Sequence, residues 1–496
     1  MKRGFVYLVG AGPGDYELIS EKAREVMRNA DCIIYDFLAN ERIFEDVACE
    51  KIYVGKQGGA HTLSQDEINR LIIEKAQEGK TVVRLKGGDP FIFGRGGEEA
   101  EELVQAGIPF GIVPGISSFY SAPAYAGIPI THRDYASAFE VITGHRRSDT
   151  SDEEDINFPE YRPDKTYIFM MGVKNLSYIS DQLIRKGFPE TIPAGIVTWG
   201  TLPKQQVVTG TLGSIDRIAQ EKKVTPPAII LVGEVVRLRD TLRWYDTLPL
   251  FGRRIVVTRT REQASRLSRE LSRLGAEVIE FPTIEIRPCA DQSALESAIG
   301  RLEEFDWIVF TSQNAVQIFF DLLNRSGRDS RSLHRNRIAA IGPASAQEIE
   351  RFCIRPDLIP DEYVAEGLLS AMNEIDLQGK RFLLPCSAGA RLTLKEGLES
   401  RGAAVERIHI YDAVSPEKVS EDLLESVKGA DIITFTSSST VKNFFKLVDT
   451  VGAQLACIGP ITAETLREKG YEPAIVAAEY TIGGLVDAIV AALSSA

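Results

Sequence analysis

A glycine-rich loop with an acidic residue is the clearest candidate for chemistry in the sequence. Gly87, Gly88 and Asp89 follow a short β-branched run that begins at Thr81, and a helical pattern comes after them. The loop therefore lies at the carboxyl end of a predicted strand, where open α/β sheets bind their ligands. Glycine lets the backbone approach a ligand closely, and the Asp89 carboxylate suits hydroxyl or ammonium groups. The sequence predicts that a ligand binds here.

A second glycine-rich loop, with glycines at 10, 12 and 14, follows the predicted strand at residues 5–9. It resembles a dinucleotide-binding loop, but its spacing departs from GxGxxG. Pro13 also removes a backbone N–H that an anion would use. The residues therefore argue against a nicotinamide-dependent oxidoreductase. A tight strand-to-helix turn without a ligand stays open as the alternative.

Two charged residues end further predicted strands. Residues 31–36 form a strand pattern that ends in Asp36, and residues 51–56 form one that ends in Lys56. Both side chains would lie near the same crevice. Because charged strand ends are also common where they are only solvated, a functional and a structural interpretation both stay open at this point.

Composition narrows the class of protein. The chain of 496 residues is 44% hydrophobic and 26% charged, which is typical of a globular protein with several domains. A net charge of −13 disfavours non-specific nucleic-acid binding. Without an apolar run of membrane length or a secretory signal at the start, we expect a cytoplasmic protein with no membrane partner. Six cysteines without a CxxC pair predict reduced thiols and no metal site.

The first half of the chain resembles uroporphyrinogen-III C-methyltransferases over roughly residues 1–246. The resemblance rests on the order of the segments VGAGPGD, VVRLKGGDPFIFGRGGEE, VPGISS, AYAGIPITHRDYAS and GEVVRLRDTLRWY. It implies a homodimeric α/β methylase with two subdomains, at about 1–114 and 130–247. It also implies that S-adenosylmethionine is used twice, so that uroporphyrinogen III is methylated at C-2 and C-7 to give precorrin-2.

Carried onto this sequence, the resemblance assigns functional residues. The methyl donor would contact Pro13, Gly87, Gly88, Asp89, Ile92, Ser117, Ser118, Met171 and Gly200. Asp36 matches the family's proposed proton acceptor and Lys56 its proposed donor, as the methylated ring settles into a new double-bond pattern. The substrate's carboxylates need cations, for which the candidates are Arg84, Lys86, Arg95, His132 and Arg133.

An internal repeat follows a short linker at residues 246–252. The segment 309–320 recurs as 434–445, the segment 340–343 recurs as 457–460, and 254–284 aligns with 381–411. Each copy alternates strand and helix patterns. The repeat predicts two similar doubly wound α/β lobes facing across a cleft.

Small hydroxyl residues stand at corresponding strand-to-helix junctions of the two copies. They are Thr311 and Ser312 in the first copy, and Thr436, Ser437 and Ser438 in the second. Helices prefer such residues as N-caps, which is the structural interpretation. Paired helix N-termini at one cleft also suit an acidic ligand, so these five residues are candidates for substrate binding.

This second region, residues 253–496, resembles uroporphyrinogen-III synthases in its two FTS segments, its two IGP turns and the segment IHIYDA. The resemblance implies that hydroxymethylbilane is cyclised without a cofactor, with inversion of the last pyrrole and loss of water. Tyr411 matches the family's catalytically implicated tyrosine and would assist departure of the hydroxyl. Packing as a strand aromatic at the junction of the lobes is its structural alternative.

The sequence thus predicts a bifunctional enzyme of porphyrin biosynthesis, with a methylase domain at 1–247 and a synthase domain at 253–496. Its partners are small-molecule tetrapyrroles, and sirohaem and cobalamin both stay open as end products. One alternative is an active methylase fused to a non-catalytic tetrapyrrole-binding module, because a fold does not determine a function. Another is a methylase of the same family that acts on a different substrate.

Overall fold

The computed structural model describes residues 4–44, 47–55, 63–144, 157–258, 261–390, 392–414, 419–449 and 451–494. The chain forms two compact units. The first comprises Met1–Ile255, Arg269–Val278 and Val490–Ala496, and the second comprises Val256–Ser268 and Ile279–Ile489. Within the described ranges no helix has the length and apolar character needed to cross a membrane.

The first sheet has five parallel strands in the order β3-β2-β4-β1-β5. The strands are β1 Phe5–Gly10, β2 Cys32–Tyr35, β3 Glu50–Tyr53, β4 Thr81–Lys86 and β5 Phe110–Val113. The helices in this part of the chain are α1 Glu21–Arg28, α2 Gln65–Gln77, α3 Gly96–Gln105 and α4 Ser118–Tyr125. A capping box of Ser64 and Glu67 stands at the start of α2.

Both faces of the first sheet are covered, as a parallel sheet requires. Successive residues of β4 point to opposite faces, so Val83 packs in one core with Met27 of α1, and Val82 packs in another with Ile72 of α2 and Leu103 of α3. This arrangement directs the carboxyl ends of β1, β2 and β4 to one edge, where the predicted loops follow.

The second sheet is mixed and has the order β6-β7-β10-β8-β9. Its strands are β6 Ala138–Thr143, β7 Lys165–Met170, β8 Pro193–Thr198, β9 Gln206–Thr211 and β10 Ala228–Val232. The helices here are α5 Leu176–Arg185, α6 Ile215–Glu221 and α7 Arg239–Leu242. β6 and β7 are parallel, whereas β10 runs antiparallel to both β7 and β8.

The rest of the chain forms two more five-stranded sheets. The third sheet has the order β12-β11-β18-β19-β20, and the fourth has the order β13-β17-β16-β14-β15. The strands are β11 Arg254–Thr258, β12 Glu277–Phe281, β13 Glu285–Pro288, β14 Trp307–Phe310, β15 Arg337–Ala340, β16 Arg381–Ser387, β17 Ala404–Val414, β18 Ile432–Phe435, β19 Gln454–Cys457 and β20 Ile475–Val476. The helices are α8 Arg261–Arg273, α9 Ser293–Gly300, α10 Gln313–Arg325, α11 Pro343–Glu350, α12 Ala365–Ala371, α13 Thr393–Glu399, α14 Glu421–Lys428, α15 Ser438–Leu447, α16 Pro460–Glu468 and α17 Ile482–Ser494.

The α/β class and the two similar lobes are confirmed, but each lobe combines strands from both copies of the repeat. The third sheet takes β11 and β12 from the first copy and β18 to β20 from the second. The fourth takes β14 and β15 from the first copy and β16 and β17 from the second. When the two copies of the repeat are aligned, each strand in the order β12-β11-β18-β19 corresponds to the strand at the same place in the order β17-β16-β14-β15. The two copies have therefore exchanged half of their strands.

Candidate active sites

The two glycine-rich loops meet at the carboxyl edge of the first sheet. The Gly88 N–H donates to the Gly12 carbonyl at 2.7 Å, and the Gly12 N–H donates to the Gly88 carbonyl at 3.2 Å. Both have left-handed backbone angles, with φ of 78° at Gly12 and 68° at Gly88, which favour glycine. A Cβ on Gly10 would lie 2.5 Å from the Gly115 Cα. Glycine is therefore required for three backbone segments to pack directly together.

Asp89 joins two of these segments. Its Oδ1 accepts a hydrogen bond from the Phe91 N–H at 2.8 Å, and its Oδ2 accepts one from the Gly115 N–H at 2.9 Å. A carboxylate oxygen can accept more than one hydrogen bond, so these two contacts leave capacity for a ligand. The structure gives Asp89 a role in holding the loops, and its contact with a methyl donor stays a prediction.

The first loop also contacts α4 and the segment after β8. The Tyr125 hydroxyl donates to Asp15 Oδ2 at 2.9 Å, and the Asp15 N–H donates to Thr201 Oγ1 at 3.1 Å. Burial, followed by the charge of Asp15, raises the pKa of Tyr125, which keeps its hydroxyl protonated as a donor. Pro13 and Gly14 thus precede a residue that is bonded to both α4 and the segment after β8.

Helix α4 brings further predicted residues to this edge. A Cβ on Gly88 would lie 3.9 Å from the Ser117 Cα and 3.8 Å from the Ser118 nitrogen. A Cβ on Gly200 would lie only 2.3 Å from the Ala122 Cβ, so glycine is needed there for α4 to pack closely. The structure therefore places Gly88, Ser117 and Ser118 side by side, with Gly200 against the next turn of the same helix.

Met171 follows β7 with a left-handed φ of 57° and is 51% exposed. Its thioether is therefore not packed in the core. A thioether held at the surface remains able to contact an apolar ligand, which is the predicted role.

Exposed apolar side chains follow both acidic residues at the edge of the first sheet. They are Phe37 and Leu38 after Asp36, and Phe91, Ile92 and Phe93 after Asp89. A Cβ on Gly87 would lie 2.5 Å from the Leu38 Cβ, so the two segments are in close contact there. Contiguous exposed apolar surface typically marks a binding site. Ile92, one of the predicted donor-binding residues, belongs to this group.

Asp36 lies at the exposed end of a buried group of charges. Arg84 Nη2 lies 3.2 Å from Asp36 Oδ2, and Arg84 Nε lies 3.3 Å from Glu99 Oε1. Lys86 Nζ lies 2.7 Å from the same Glu99 oxygen. Burial, and then the charge of Arg84, lowers the pKa of Lys86. Lys56, the predicted proton donor, lies outside the described residues.

The five cations predicted to bind the substrate carboxylates fall into a buried group and an accessible group. Arg84 and Lys86 are buried and paired within the protein, so they are not presented to a substrate. Arg95, His132 and Arg133 are more accessible. Arg95 has a left-handed φ of 59° directly before α3, and its Nε donates to Glu98 Oε1 at 3.0 Å. Glu98 and Glu99 follow the RGG segment, but neither was among the residues predicted to have a functional role.

Tyr411 and Ser312 form a hydroxyl pair in the fourth sheet. The Tyr411 hydroxyl lies 2.9 Å from Ser312 Oγ, which also accepts a hydrogen bond from the Ala315 N–H at 3.1 Å. A β-bulge in β17 places Tyr411 here, because Cys386 pairs with His409 whereas the next residue, Ser387, pairs with Tyr411. Tyr411 is 6% exposed and packs as a strand aromatic in the core of the fourth sheet, where it also makes a polar contact at the start of α10.

The capping interpretation of the hydroxyl residues is confirmed at both junctions. Ser312 is the N-cap of α10, and Ser437 is the N-cap of α15 in a capping box with Thr440. Ser438 Oγ accepts a hydrogen bond from Thr465 Oγ1 at 2.8 Å. Thr311 and Thr436 are half-buried beside these caps. Binding of an acidic ligand at these helix N-termini stays a prediction.

A further pair of equivalent residues was missed in the sequence. A Cβ on Gly342 would lie 3.2 Å from the Tyr363 Cβ, and a Cβ on Gly459 would lie 3.0 Å from Tyr480 Cδ1. Both tyrosines are exposed and stand over the glycine that caps α11 or α16. The signal was available, because EYVAEGL at 362–368 and EYTIGGL at 479–485 are a third repeated segment.

One group of possible metal ligands occurs among the described residues. Cys289, His409 and Asp412 each offer a ligand atom within 4.8 Å of the others. His409 Nε2 lies 2.9 Å from Asp412 Oδ1, so these two side chains already form a pair. The expectation that the protein needs no metal stays a prediction.

Comparison with known proteins assigns both regions of the chain. Residues 6–216 match the family model of tetrapyrrole (corrin/porphyrin) methylases, and residues 265–487 match that of uroporphyrinogen-III synthase HemD. The porphyrin biosynthesis protein HemD of Ruminiclostridium josui is 38% identical over 495 residues, which cover 98% of this chain and 98% of that protein. The uroporphyrinogen-III C-methyltransferase of Bacillus subtilis (strain 168) is 41% identical over 367 residues, or 73% of this chain and 74% of that protein.

Among solved structures, the uroporphyrin-III C-methyl transferase of Thermus thermophilus complexed with S-adenyl homocysteine is 36% identical. It covers 47% of this chain and 94% of its own, with a TM-score of 0.40. The Ruminiclostridium relative, by contrast, matches along nearly the whole chain. The chain therefore belongs to the family of porphyrin biosynthesis proteins that join a tetrapyrrole methylase region to a uroporphyrinogen-III synthase HemD region.

Proposed function

We propose that this chain is a bifunctional enzyme that makes precorrin-2 from hydroxymethylbilane. The synthase region closes the linear tetrapyrrole to uroporphyrinogen III with loss of water. The methylase region then transfers methyl groups to C-2 and C-7 of that product. The observation that carries the proposal is the presence of both family regions in one chain, since the first consumes what the second makes.

The methyl donor is S-adenosylmethionine, and it binds at the carboxyl edge of the first sheet. The support is the close packing of the two glycine-rich loops with the start of α4, which brings glycine backbone without side chains to this edge. Backbone N–H and carbonyl groups can then contact a ligand directly. The residues proposed to contact the donor are Pro13, Gly87, Gly88, Asp89, Ile92, Ser117, Ser118, Met171 and Gly200.

Asp36 accepts a proton and Lys56 donates one during methylation. An electron-rich pyrrole carbon attacks the sulfonium methyl, the thioether leaves, and the ring must then lose one proton overall, which Asp36 accepts. A proton that Lys56 gives to one ring position is matched by a further proton lost from another as the double bonds rearrange. The position of Asp36 supports its role, because its carboxylate is only partly exposed and is held by Arg84 at the same edge as the glycine-rich loops. The apolar side chains that follow Asp36 and Asp89 provide a surface for the macrocycle.

Tyr411 assists departure of the hydroxyl group of hydroxymethylbilane in the synthase region. Its contact with Ser312 supports this role, because the phenol is held at the N-terminus of α10, where the helix dipole favours developing negative charge. Thr311, Ser312, Thr436, Ser437 and Ser438 are the proposed contacts for the substrate carboxylates. This reaction uses neither a metal nor a cofactor.

The same proposal covers the organisation of the protein. Residues 1–247 form the methylase and residues 253–496 the synthase, and the protein is a cytoplasmic homodimer that binds no nucleic acid. The net charge of −13 supports the last point, since non-specific nucleic-acid binding depends on basic surface.

The decisive experiment supplies hydroxymethylbilane to the whole chain, with and without S-adenosylmethionine, and analyses the products by mass and by isomer. Without the donor, we expect uroporphyrinogen III; with it, we expect a product heavier by two CH2 units, because each added methyl group replaces a proton. Hydroxymethylbilane closes spontaneously to the uninverted type I ring, so a reaction without protein is the control. Formation of type I alone, together with methylation of added uroporphyrinogen III, would favour a non-catalytic second region.

A further inference from the structure

We propose that Glu99 is a positioning residue for methyl transfer. It holds Arg84 in place, and Arg84 in turn orients the Asp36 carboxylate at the edge of the site. This inference rests on the proposed role of Asp36 as proton acceptor. It assigns a function to Glu99, Arg84 and Lys86 that does not involve contact with either substrate.

Arg84 is held from three sides. Its Nη1 donates to the carbonyl of Leu85 at 3.1 Å and to that of Ile34 at 3.4 Å, and its Nε donates to Glu99 Oε1 at 3.3 Å. Only Nη2 then reaches toward the site, where it donates to Asp36 Oδ2 at 3.2 Å. Because the guanidinium is planar and rigid, fixing Nε and Nη1 also fixes the direction of Nη2.

Asp36 is held at its other oxygen as well. Its Oδ1 accepts a hydrogen bond from the Leu38 N–H at 3.2 Å. The carboxylate thus has one backbone donor and one guanidinium donor, and each oxygen keeps further lone pairs for a proton. A proton acceptor must lie within hydrogen-bonding reach of the proton it takes, so a fixed orientation serves this role.

The group is buried everywhere except at Asp36. The side chains of Glu99, Arg84 and Lys86 are 1%, 3% and 6% exposed, whereas that of Asp36 is 28% exposed. The two cations, Arg84 and Lys86, are balanced by the two anions, Glu99 and Asp36. The buried side chains therefore hold the one carboxylate of the group that reaches the surface, that of Asp36, in a fixed position.

Stability alone is a weak explanation for this arrangement. Buried ion pairs lose hydration that their mutual attraction often only balances, and apolar side chains of similar volume frequently stabilise a core as well or better. Here Arg84 and Lys86 lie on the same face of β4 as Val82, which is fully buried, so that face also accommodates an apolar side chain. A role in orienting Asp36 explains why charged side chains stand at these positions.

Glu99 is the centre of the group. Its Oε1 accepts hydrogen bonds from Lys86 Nζ at 2.7 Å, from Gln65 Nε2 at 3.1 Å and from Arg84 Nε. Its Oε2 is buried and has no hydrogen-bond partner in the part of the chain that the structure describes. All three donors therefore converge on a single atom, and the position of Arg84 depends on it.

The test measures methyl transfer to uroporphyrinogen III by the full-length protein. The first variant, Glu99→Gln, keeps the shape of the side chain and removes its charge. The second, Glu99→Gln combined with Lys86→Met, also removes one buried cation, so the net charge of the group is unchanged and folding is protected. The control is Glu50→Gln, because Glu50 also accepts from two lysines, Lys75 and Lys80, but lies on the surface of β3.

We expect both Glu99 variants to lower kcat at least about tenfold while KM for the methyl donor changes less than about twofold, which is the signature of a loss confined to the transition state. The control should match the wild type. A folded Glu99 variant with wild-type kcat, or with an equal change in kcat and in KM, overturns the positioning role. If the wild-type chain transfers no methyl group, the proposed function itself is wrong.

Discussion

The hydroxyl groups of Ser312 and Tyr411 lie 2.9 Å apart, although 99 residues separate them in the chain. Ser312 belongs to the first copy of the repeat and Tyr411 to the second, and they meet because the two copies exchange strands. The contact joins a residue proposed to bind substrate carboxylates with the residue proposed to assist departure of the hydroxyl. The proposed binding and the proposed chemistry would therefore meet at one helix N-terminus.

Replacement of Tyr411 by Phe should slow the closure of hydroxymethylbilane by about a hundredfold, the lower range for a positioned proton donor. The loss of one hydrogen bond should reduce the free energy of unfolding by only about 1 kcal/mol. Isomer-resolved product analysis and thermal unfolding measure the two effects. Tyr471→Phe is the control, because its hydroxyl also makes one hydrogen bond, to the carbonyl of Asp449, elsewhere in the same unit. Equal rates in the two variants would remove Tyr411 from the mechanism.

Replacement of Asp89 by Ala should weaken binding of the methyl donor by about 1–3 kcal/mol, because two backbone N–H groups lose their acceptor. Asp89→Asn should be impaired as well. Both neighbours of the carboxylate, Phe91 N–H and Gly115 N–H, are donors, so the amide NH2 would face one of them. Calorimetric titration with S-adenosylhomocysteine measures the affinity.

The control for Asp89 is Asp291→Asn. Asp291 Oδ1 accepts from the Ser293 N–H at 2.9 Å, which is the same local contact as that of Asp89 with Phe91, but it lies in the second unit. We expect its donor affinity to equal that of the wild type. Unchanged affinity in a folded Asp89→Ala protein would contradict the proposed placement of the donor.

Replacement of Asp36 by Asn should lower methylation turnover at least about tenfold and leave donor affinity nearly unchanged, because the carboxylate is proposed to act only in proton transfer. Some loss of stability should accompany it, since Arg84 is buried and loses one anionic partner. Steady-state kinetics and donor titration separate the two effects. Asp31→Asn, at the opposite end of β2, removes a carboxylate charge while its amide oxygen can still accept from the Thr81 N–H, and it should keep full turnover. A parallel fall in affinity and turnover would argue that Asp36 binds the donor.

Thiol reactivity should follow burial. Burial raises the pKa of Cys32 to about 11 and that of Cys457 to about 12, and it also raises the pKa of Cys386. A pH of about 8 lies below the pKa of these thiols, so they stay protonated. They then react slowly, because the thiolate is the reactive form. Alkylation of the native protein should therefore label the exposed Cys353 well before these three. Mass spectrometry of the peptides measures the order, and denatured protein, in which all six should react, is the control.

The sequence by itself determined the local structure and the class of the protein. The glycine-rich loops, the capping box at Ser64 and the helix starts at Ser312 and Ser437 all depend on residues within a few positions of one another. Local spacing is sufficient for these features, because turns, caps and periodic faces are set by short-range hydrogen bonding and side-chain direction. The order of the motifs was sufficient to recognise both family regions.

Only the tertiary structure decided which distant residues meet. Similarity between the copies of the repeat shows which strands are equivalent, but it does not show that β11 and β12 lie in one sheet with β18 while β14 and β15 lie in another with β16. The same holds for Glu99 beside Arg84 and Lys86, which the sequence presented as cations available to a substrate. These contacts arise from the burial of strands and helices against one another, and burial is a property of the whole fold that short sequence patterns do not encode.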